Sequence, residues 1–244
     1  MRIPLKLTNA PIAEALLEVR FSSSEIAEIV IGKLASCPEW KLFKSQRLQL
    51  GEIPASVRDA DPDLCFQPVL QLNSDAGDQV IKLGPRVLSH HFLKSYPGWK
   101  VVEPNLDASL DYLFSILADV KASRIGFRYV NLFSDAHFVA GLSDLNFDVR
   151  LAGELLTDPT NLNYQRRLST QHDAIIRVAT KEFAKANQPF NAIIDIDIFT
   201  PVGFNSASAS EIKKWTRQAH DYLKIEFFTL LPDELTDRLE EKQP

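Results

Sequence analysis

Apolar and polar residues alternate one by one near the start of the chain. In the segment 13–21, Leu17, Val19 and Phe21 fall on one side, and Glu18 and Arg20 on the other. A period of two residues is typical of a strand with one buried face. We therefore predict that this segment is the first strand.

A helical pattern follows this strand directly. Ser22 and Glu25 have the spacing of a capping box, in which each side chain bonds the backbone of the other at the start of a helix. Apolar residues then recur at intervals of three and four positions: Ile26, Ile29, Val30 and Leu34. This spacing predicts a helix that runs toward Cys37.

Three strand candidates and a second helix complete the first half. The strands are expected at 43–50, 64–73 and 79–92, because turns rich in Gly, Pro, Asp and Asn separate these segments. Asn105 is a candidate N-cap residue. The helix after it has one apolar stripe, formed by Leu106, Leu110, Leu113, Phe114, Leu117 and Val120.

The second half repeats that order of elements. A short helix is expected near 143–154, and the last helix is expected to begin at the capping box of Ser208 and Glu211 and to end by Pro232. The predicted strands of this half lie at 124–133, 162–172, 174–183 and 190–199.

The repeated order predicts the fold class and a duplication. The first strands of the two halves start at 13 and 124, and the fifth elements start at 79 and 190, so both pairs have the same separation. We predict an α+β protein made of two β-α-β-β-β-α units. The units would span 1–121 and 122–244, as two units or one fused domain, with one mostly antiparallel sheet and helices on one face.

Composition indicates a folded globular protein and limits its partners. Hydrophobic residues make up 45% of the 244 positions and charged residues 24%. No run approaches the roughly 20 apolar residues of a spanning helix, and the first residues do not form an apolar leader, so we expect a cytoplasmic protein without a membrane partner. The net charge of −5 makes a nucleic-acid partner unlikely on charge alone.

The cysteines and histidines do not form a recognisable metal motif in the sequence. Cys37 and Cys65 lack the Cys-x-x-Cys spacing of zinc ribbons and redox proteins. His90 and His91 are adjacent and would point to opposite faces of a strand. Phosphate-binding glycine loops and nucleophile motifs are also missing from the sequence, so we expect no cofactor and no bound metal.

Asp195 and Asp197 are the most suggestive residues for chemistry, since carboxylates two positions apart in a strand project from one face. Three interpretations are open: an ion-paired sheet face, a binding surface, or a metal or catalytic site with His220 or a basic residue such as Arg128 nearby. Tyr96-Pro97-Gly98-Trp99 is an aromatic turn that caps a core or anchors a partner. The residues of the predicted binding surface are Trp99, Arg124, Arg128, Tyr129, Asn131, Arg177, Asp195, Asp197 and His220.

Several of these segments together resemble a known family. They are Asn9-Ala10-Pro11-Ile12 running into Glu18-Val19-Arg20-Phe21, the aromatic turn at 96–99, Arg124-Ile125-Gly126-Phe127-Arg128-Tyr129-Val130-Asn131, Asp195-Ile196-Asp197-Ile198-Phe199, and His220 followed by Phe227-Phe228. In order and spacing the chain resembles a family of sporadically distributed, uncharacterised prokaryotic proteins of similar length. The resemblance implies a cytoplasmic prokaryotic protein and suggests a toxin-antitoxin or phage-defence locus, and it implies no catalytic residues.

The sequence leads to one function hypothesis and two alternatives. The first is a non-enzymatic protein-interaction module, antitoxin-like or a defence accessory, that binds a protein partner or forms a homodimer. The second is a metal-dependent hydrolase or nuclease that uses Asp195 and Asp197. The third, weaker alternative is a nucleic-acid platform built on the arginine and lysine residues of the sheet.

Overall fold

The computed structural model describes residues 3–4, 6–93, 96–155, 159–183 and 189–240. The fold is α+β, as predicted. The strands are β1 (Ile12–Ser22), β2 (Lys44–Arg47), β3 (Leu70–Asn73), β4 (Gln79–Gly84), β5 (Val87–Leu93), β6 (Lys121–Phe133), β7 (Arg150–Leu151), β8 (Glu154–Leu155), β9 (Asn161–Arg167), β10 (Asp173–Thr180) and β11 (Ala192–Phe199). The helices are α1 (Ala27–Ala35), α2 (Ala55–Ala60), α3 (Trp99–Ile116), α4 (Ala209–Thr229) and α5 (Asp233–Leu239).

A mostly antiparallel sheet of nine strands organises the fold. Its strand order is β2-β3-β4-β5-β1-β6-β11-β10-β9, and β7 and β8 form a separate two-stranded sheet. The neighbouring pairs β2–β3, β3–β4, β4–β5 and β9–β10 are antiparallel. The strands β2 and β9 are therefore the two edges of the large sheet.

The chain divides into two compact units whose segments are interleaved in sequence. Unit 1 consists of Met1–Glu14, Arg128–Ile198 and Gln218–Pro244, and unit 2 consists of Ala15–Phe127 and Phe199–Arg217. This division differs from the predicted one at residue 121. The proposed internal duplication stays a prediction.

In unit 2, the helices α1 and α3 cover one face of the strands. Ala15, Leu17, Val19 and Phe21 of β1 are buried, and the residues between them are half-buried, as the alternation predicts. The helix α1 contacts β4 and α3, and α3 contacts β5. The buried side of α3 is mostly apolar and consists of Val102, Leu106, Ser109, Leu110 and Leu113.

In unit 1, the C-terminal part of α4 covers the strands. Phe133 of β6 and Phe227 of α4 stack with ring centroids 6.0 Å apart. Arg166 of β9 forms an ion pair with Glu226 of α4, which is buried. The helix-facing sides of the neighbouring strands are apolar and buried: Ala174, Ile176 and Val178 of β10, and Ile194 and Ile196 of β11.

The sheet face opposite the helices is only partly open. In unit 2, Ser89 and His91 point away from α3 and are nevertheless buried. In unit 1, a small apolar cluster lies on this face and consists of Leu132, Ala179, Phe190 and Ile193, with Ala13 and Val130 packed against it. The part of this face that is exposed to solvent is therefore smaller than the face itself.

Several predicted element boundaries in the first half are wrong. The predicted strand 79–92 is two strands, β4 and β5, joined at a turn after Gly84. Most of the predicted strand 64–73 is loop, and only β3 remains. The helix expected to begin after Asn105 begins instead at Trp99 and continues through Pro104, whose missing N–H costs one bond near the start of the helix.

The two capping boxes predicted from the sequence had opposite outcomes. The capping box at Ser22 is wrong, since α1 begins after Ile26 without a side-chain cap. At α4, the Oγ of Ser208 does accept the backbone N–H of Glu211, at 3.3 Å.

The helix predicted near 143–154 is also wrong. A 3-10 turn at Leu142–Asp144 and the hairpin of β7 and β8 occupy this segment. Ala152 and Gly153 both have positive φ angles, which suit a two-residue hairpin turn and are incompatible with a helix.

None of the helices in the described residues is long and apolar enough to cross a membrane.

Gly84 is expected to be intolerant of a side chain. A Cβ atom there would lie 2.8 Å from the Gln67 carbonyl oxygen and 2.9 Å from a Val87 methyl group. We expect Gly84→Ala to lower the free energy of unfolding by about 1–3 kcal/mol, measured by chemical denaturation. The control is Gly32→Ala in α1, where nothing lies within 4 Å and where alanine should raise stability by about 0.5–1 kcal/mol. Equal effects of the two substitutions would contradict this packing.

Candidate binding surface

An ion pair between adjacent strands occupies the open face of unit 1. Arg128 of β6 donates two hydrogen bonds to Asp195 of β11, at 2.6 Å from Nε to Oδ1 and 2.5 Å from Nη2 to Oδ2. The Asp195 side chain is only 8% exposed, whereas 41% of the Arg128 side chain is exposed. Such two-pronged contacts are among the strongest hydrogen-bonded ion pairs.

Other carboxylates add to the electrostatic environment of Arg128. Its pKa is raised above the ordinary value, first by the hydrogen bonds that it donates to Asp195 and then by the negative charges of Asp195, Asp197 and Glu14. We call these four residues, Glu14, Arg128, Asp195 and Asp197, the charged strip. The strip holds one guanidinium among three carboxylates, so its charge is negative.

The geometry of the charged strip favours the ion-pair interpretation over a metal site. Both oxygens of Asp195 already accept hydrogen bonds from Arg128. In the part of the chain that the structure describes, no group of three His, Cys, Asp or Glu residues is placed to hold a metal ion.

His220 lies on the other side of the sheet from Asp195. Its ring is in edge contact with Tyr129, with centroids 6.3 Å apart. Tyr129 follows Arg128 in β6, so the two side chains point to opposite faces. Burial, with a smaller effect of the Lys224 charge, lowers the pKa of His220 to about 4, which keeps the ring neutral.

Asn131 is also on the helix-covered face. It is 1% exposed, and its Nδ2 donates to the Ile194 carbonyl at 2.9 Å. Tyr129 is buried too. Of the predicted binding residues in unit 1, the structure therefore brings Arg128, Asp195 and Asp197 together and places Tyr129, Asn131 and His220 on the helix-covered side.

Arg177 of β10 is on the open face but is already engaged. Its Nε donates to Asn161 Oδ1 at 3.2 Å, and its Nη2 donates to the Phe183 carbonyl at 3.0 Å. Ala179, two residues along the strand, packs in the cluster of Ile193, which places Arg177 on the same face as Asp195.

The predicted residues in unit 2 form separate contacts. Arg124 donates to Glu18 at 3.1 Å, and its guanidinium lies 5.2 Å from the centre of the Phe199 ring. Trp99 begins α3, is half-buried, and packs against Phe127 with centroids 5.7 Å apart. The aromatic turn therefore helps to pack α3.

A small cavity in unit 2 brings Cys37 and His90 together, which the sequence analysis did not predict. Its volume is about 100 Å³, and Glu39, Trp40 and Ser109 also line it. Burial and the hydrogen bond to Glu39 raise the pKa of the Cys37 thiol to about 12. Burial lowers the pKa of His90 to about 3. A protonated thiol beside a neutral histidine is the opposite of an activated cysteine nucleophile.

The edge strand β9 presents unpaired backbone groups. Thr180 N–H donates to the Thr160 carbonyl and Leu168 N–H to the His172 carbonyl, and both pairs fit the register of β9 and β10. Even-numbered residues of β9 therefore bond to β10. The odd-numbered residues direct their N–H and C=O groups away from the sheet. We call these groups the outer edge, formed by Asn161, Asn163, Gln165 and Arg167.

The opposite edge, β2, has features that discourage strand pairing. It has four residues, and the first and last, Lys44 and Arg47, are charged. Short, charged edges are a common protection against pairing with another strand. The strand β9 has seven residues, and its first five, Asn-Leu-Asn-Tyr-Gln, are uncharged. The two edges of the sheet are therefore unequally protected.

Comparison with known proteins leaves the site to be interpreted from its geometry. No protein-family model matches this chain. A search of curated proteins also gives no match. The family resemblance described above remains a prediction.

Breaking the pair of Arg128 and Asp195 is expected to destabilise the fold. Arg128→Met would leave a nearly buried carboxylate without its partner, and we expect a loss of about 2 kcal/mol in the free energy of unfolding. Arg128→Met with Asp195→Leu should recover most of this loss. The matched control is Arg150→Met, which removes an exposed contact to Asp148 and should change stability little. Additive losses in the double variant would contradict the coupling.

His220 is expected to make stability depend on pH. The native ring has a pKa of about 4, whereas the unfolded value is near 6.5, so the unfolded state binds the proton first as the pH falls. This contribution is complete above pH 6.5 and is lost toward pH 4, by about 3 kcal/mol. His220→Gln should flatten this part of the stability profile in denaturation experiments at each pH. An unchanged slope would show that the ring is not held neutral.

Proposed function

We propose that this protein is a non-enzymatic protein-interaction module that binds an extended protein segment by strand addition at β9. In this mode a partner strand pairs with the free backbone of a sheet edge, and side chains determine its selectivity. The observation that carries the proposal is the outer edge, where four consecutive odd-numbered residues direct donors and acceptors away from β10.

The anchoring of β9 supports its use as a template. Its Arg166 bonds Glu226 of α4, and its Arg167 donates to Asp173 of β10 at 2.5 Å. These contacts hold the strand on the sheet from both faces. A partner would therefore meet an edge that is already extended, which lowers the entropic cost of binding.

The charged strip supports a structural role more than a recognition role. Arg128 and Asp195 satisfy each other, and Arg177 bonds neighbouring protein groups. Elsewhere on the sheet, Glu18 pairs with both Arg20 and Arg124. Asp195 neutralises Arg128, and Glu18 offsets part of the charge of Arg20 and Arg124, whereas Arg177 bonds neutral oxygens. Because most of these guanidinium groups are paired with carboxylates, the field that would attract phosphate is weak, and the nucleic-acid alternative is not supported.

The enzymatic alternative also lacks a supporting contact. Asp195 is used by Arg128, His220 faces the other side of the sheet, and the Cys37 thiol is held protonated. We also propose a cytoplasmic location. The chain has two cysteines, Cys37 and Cys65, and so few cysteines do not form the disulfide framework that is typical of secreted domains. An antitoxin-like or phage-defence role stays a prediction from the family resemblance.

Affinity purification from the native host tests the proposal with proline variants at the two edges. Proline at an outward position removes one free N–H and leaves the inner ladder intact. Gln165 is such a position on β9. Ser45 is the matched position on β2, since the bond from Leu48 N–H to the Val69 carbonyl places the even residues of β2 on the inner side.

We expect one protein to co-purify in similar amounts with the wild type and with Ser45→Pro. With Gln165→Pro, the amount of this protein measured by quantitative mass spectrometry should be at least about tenfold lower. Circular dichroism and thermal unfolding of each variant serve as folding controls. The bound proteins include any native copy of this chain, distinguished from the bait by its lack of the affinity tag. The same set of bound proteins for all three chains, or none for the wild type, would refute the proposal.

A further inference from the structure

We propose that the segment bound at the outer edge is β9 of a second copy of this chain, in antiparallel orientation about a twofold axis. This inference rests on the proposed strand addition and names its partner. The axis would pass between Tyr164 of one copy and Tyr164 of the other. The two sheets would then continue across the interface as one sheet.

The backbone register of β9 permits this symmetric pairing. With Tyr164 on the axis, Asn161 lies opposite Arg167 and Asn163 lies opposite Gln165. All of these are outer-edge residues, whose N–H and C=O groups have no backbone partner within the described part of the chain. Each such pair exchanges two bonds in an antiparallel ladder, so about eight backbone hydrogen bonds would form. This register is also the one in which all seven residues of β9 overlap.

The side chains of β9 complement themselves in this register. The amide of Asn163 meets the amide of Gln165. The guanidinium of Arg167 keeps its bonds to Asp173 and brings its remaining nitrogen, Nη1, beside the Asn161 side chain of the second copy. On the other face, the two Tyr164 rings meet on the axis, and each ring is 51% exposed in the single chain. Leu162 would cover the aliphatic stem of Arg166 from the second copy.

Charge selects the antiparallel orientation. Arg166 and Arg167 lie together at one end of β9, and the other end has no charged side chain. Antiparallel pairing places the two arginine ends at opposite limits of the interface. Parallel pairing would place them side by side, where like charges directly opposite each other are destabilising.

The size of the contact indicates a reversible dimer. One strand pair with its flanking side chains is smaller than the roughly 1,200–2,000 Å² buried in stable complexes. We therefore expect a dimer whose population changes with protein concentration. A twofold interface of this kind uses the same patch on both copies and closes on itself, so longer assemblies are not expected.

Cysteine scanning of β9 tests the register. Tyr164→Cys would place two thiols in a pair without hydrogen bonds, with Cα atoms about 4.5 Å apart, which suits a disulfide. Asn163→Cys is the matched control, because its Cα lies more than about 7 Å from the same residue in the second copy. Both are made with Cys65→Ser, since that thiol is partly exposed. We expect a covalent dimer of Tyr164→Cys alone under mild oxidation.

Sedimentation of the purified protein tests the dimer without engineered thiols. We expect the wild type and Ser45→Pro to shift from monomer to dimer between about 1 and 100 µM, and we expect Gln165→Pro to weaken dimerisation at least about tenfold.

The outcomes separate the dimer from the broader proposal. A purified chain that stays monomeric while a host protein depends on Gln165 would overturn the dimer and leave strand addition intact. A dimer that forms equally well with Gln165→Pro, or a disulfide with Asn163→Cys and none with Tyr164→Cys, would overturn the proposed interface. If neither association depends on Gln165, the edge is not a binding site.

Discussion

Backbone hydrogen bonding at the margin of a sheet is the constraint on which the proposed function depends. An edge strand uses half of its peptide groups and leaves the others facing outward. In this fold, β2 and β9 are the edges, and only β9 is both long and uncharged over most of its length. The ion pair of Arg166 and Glu226 keeps that strand fixed beneath α4. The surface that a partner strand can bind is therefore the row of outward-facing peptide groups along β9.

The charged residues on the open face have a different physical role. A strand with one buried face must place its polar side chains on the other, and partial burial there makes an unpaired charge costly. Arg128 and Asp195 avoid this cost by bonding each other, and Arg177 bonds Asn161 and the Phe183 carbonyl. The same requirement explains why Asp195 can be nearly buried without being a ligand site.

Strand alternation and helical spacing correctly predicted those elements whose own residues carry a clear pattern of apolar and polar positions. The strands β1, β6 and β11 lie close to their predicted positions, and His90 and His91 face opposite sides as expected. The pairing of Asp195 with a neighbouring arginine was one of the interpretations that the sequence left open. Local patterns failed where backbone geometry decided the structure, as at the hairpin of Ala152 and Gly153.

The position of β9 could not be predicted, because strand order depends on contacts between distant segments. Its sequence, Asn-Leu-Asn-Tyr-Gln-Arg-Arg, indicates a strand but does not say which neighbours it has. The cavity around Cys37 and His90 was missed for the same reason. It gathers side chains from the segment after α1 and from β4, β5 and α3, which are far apart along the chain.

The interleaving of the two units has a consequence for biosynthesis. Thr8 N–H bonds the Leu239 carbonyl, and unit 1 combines the first residues of the chain with the last helices. A ribosome delivers Thr8 long before Leu239. Unit 1 therefore cannot close its core until residues 218–239 have emerged, whereas the long segment 15–127 of unit 2 can begin to collapse much earlier.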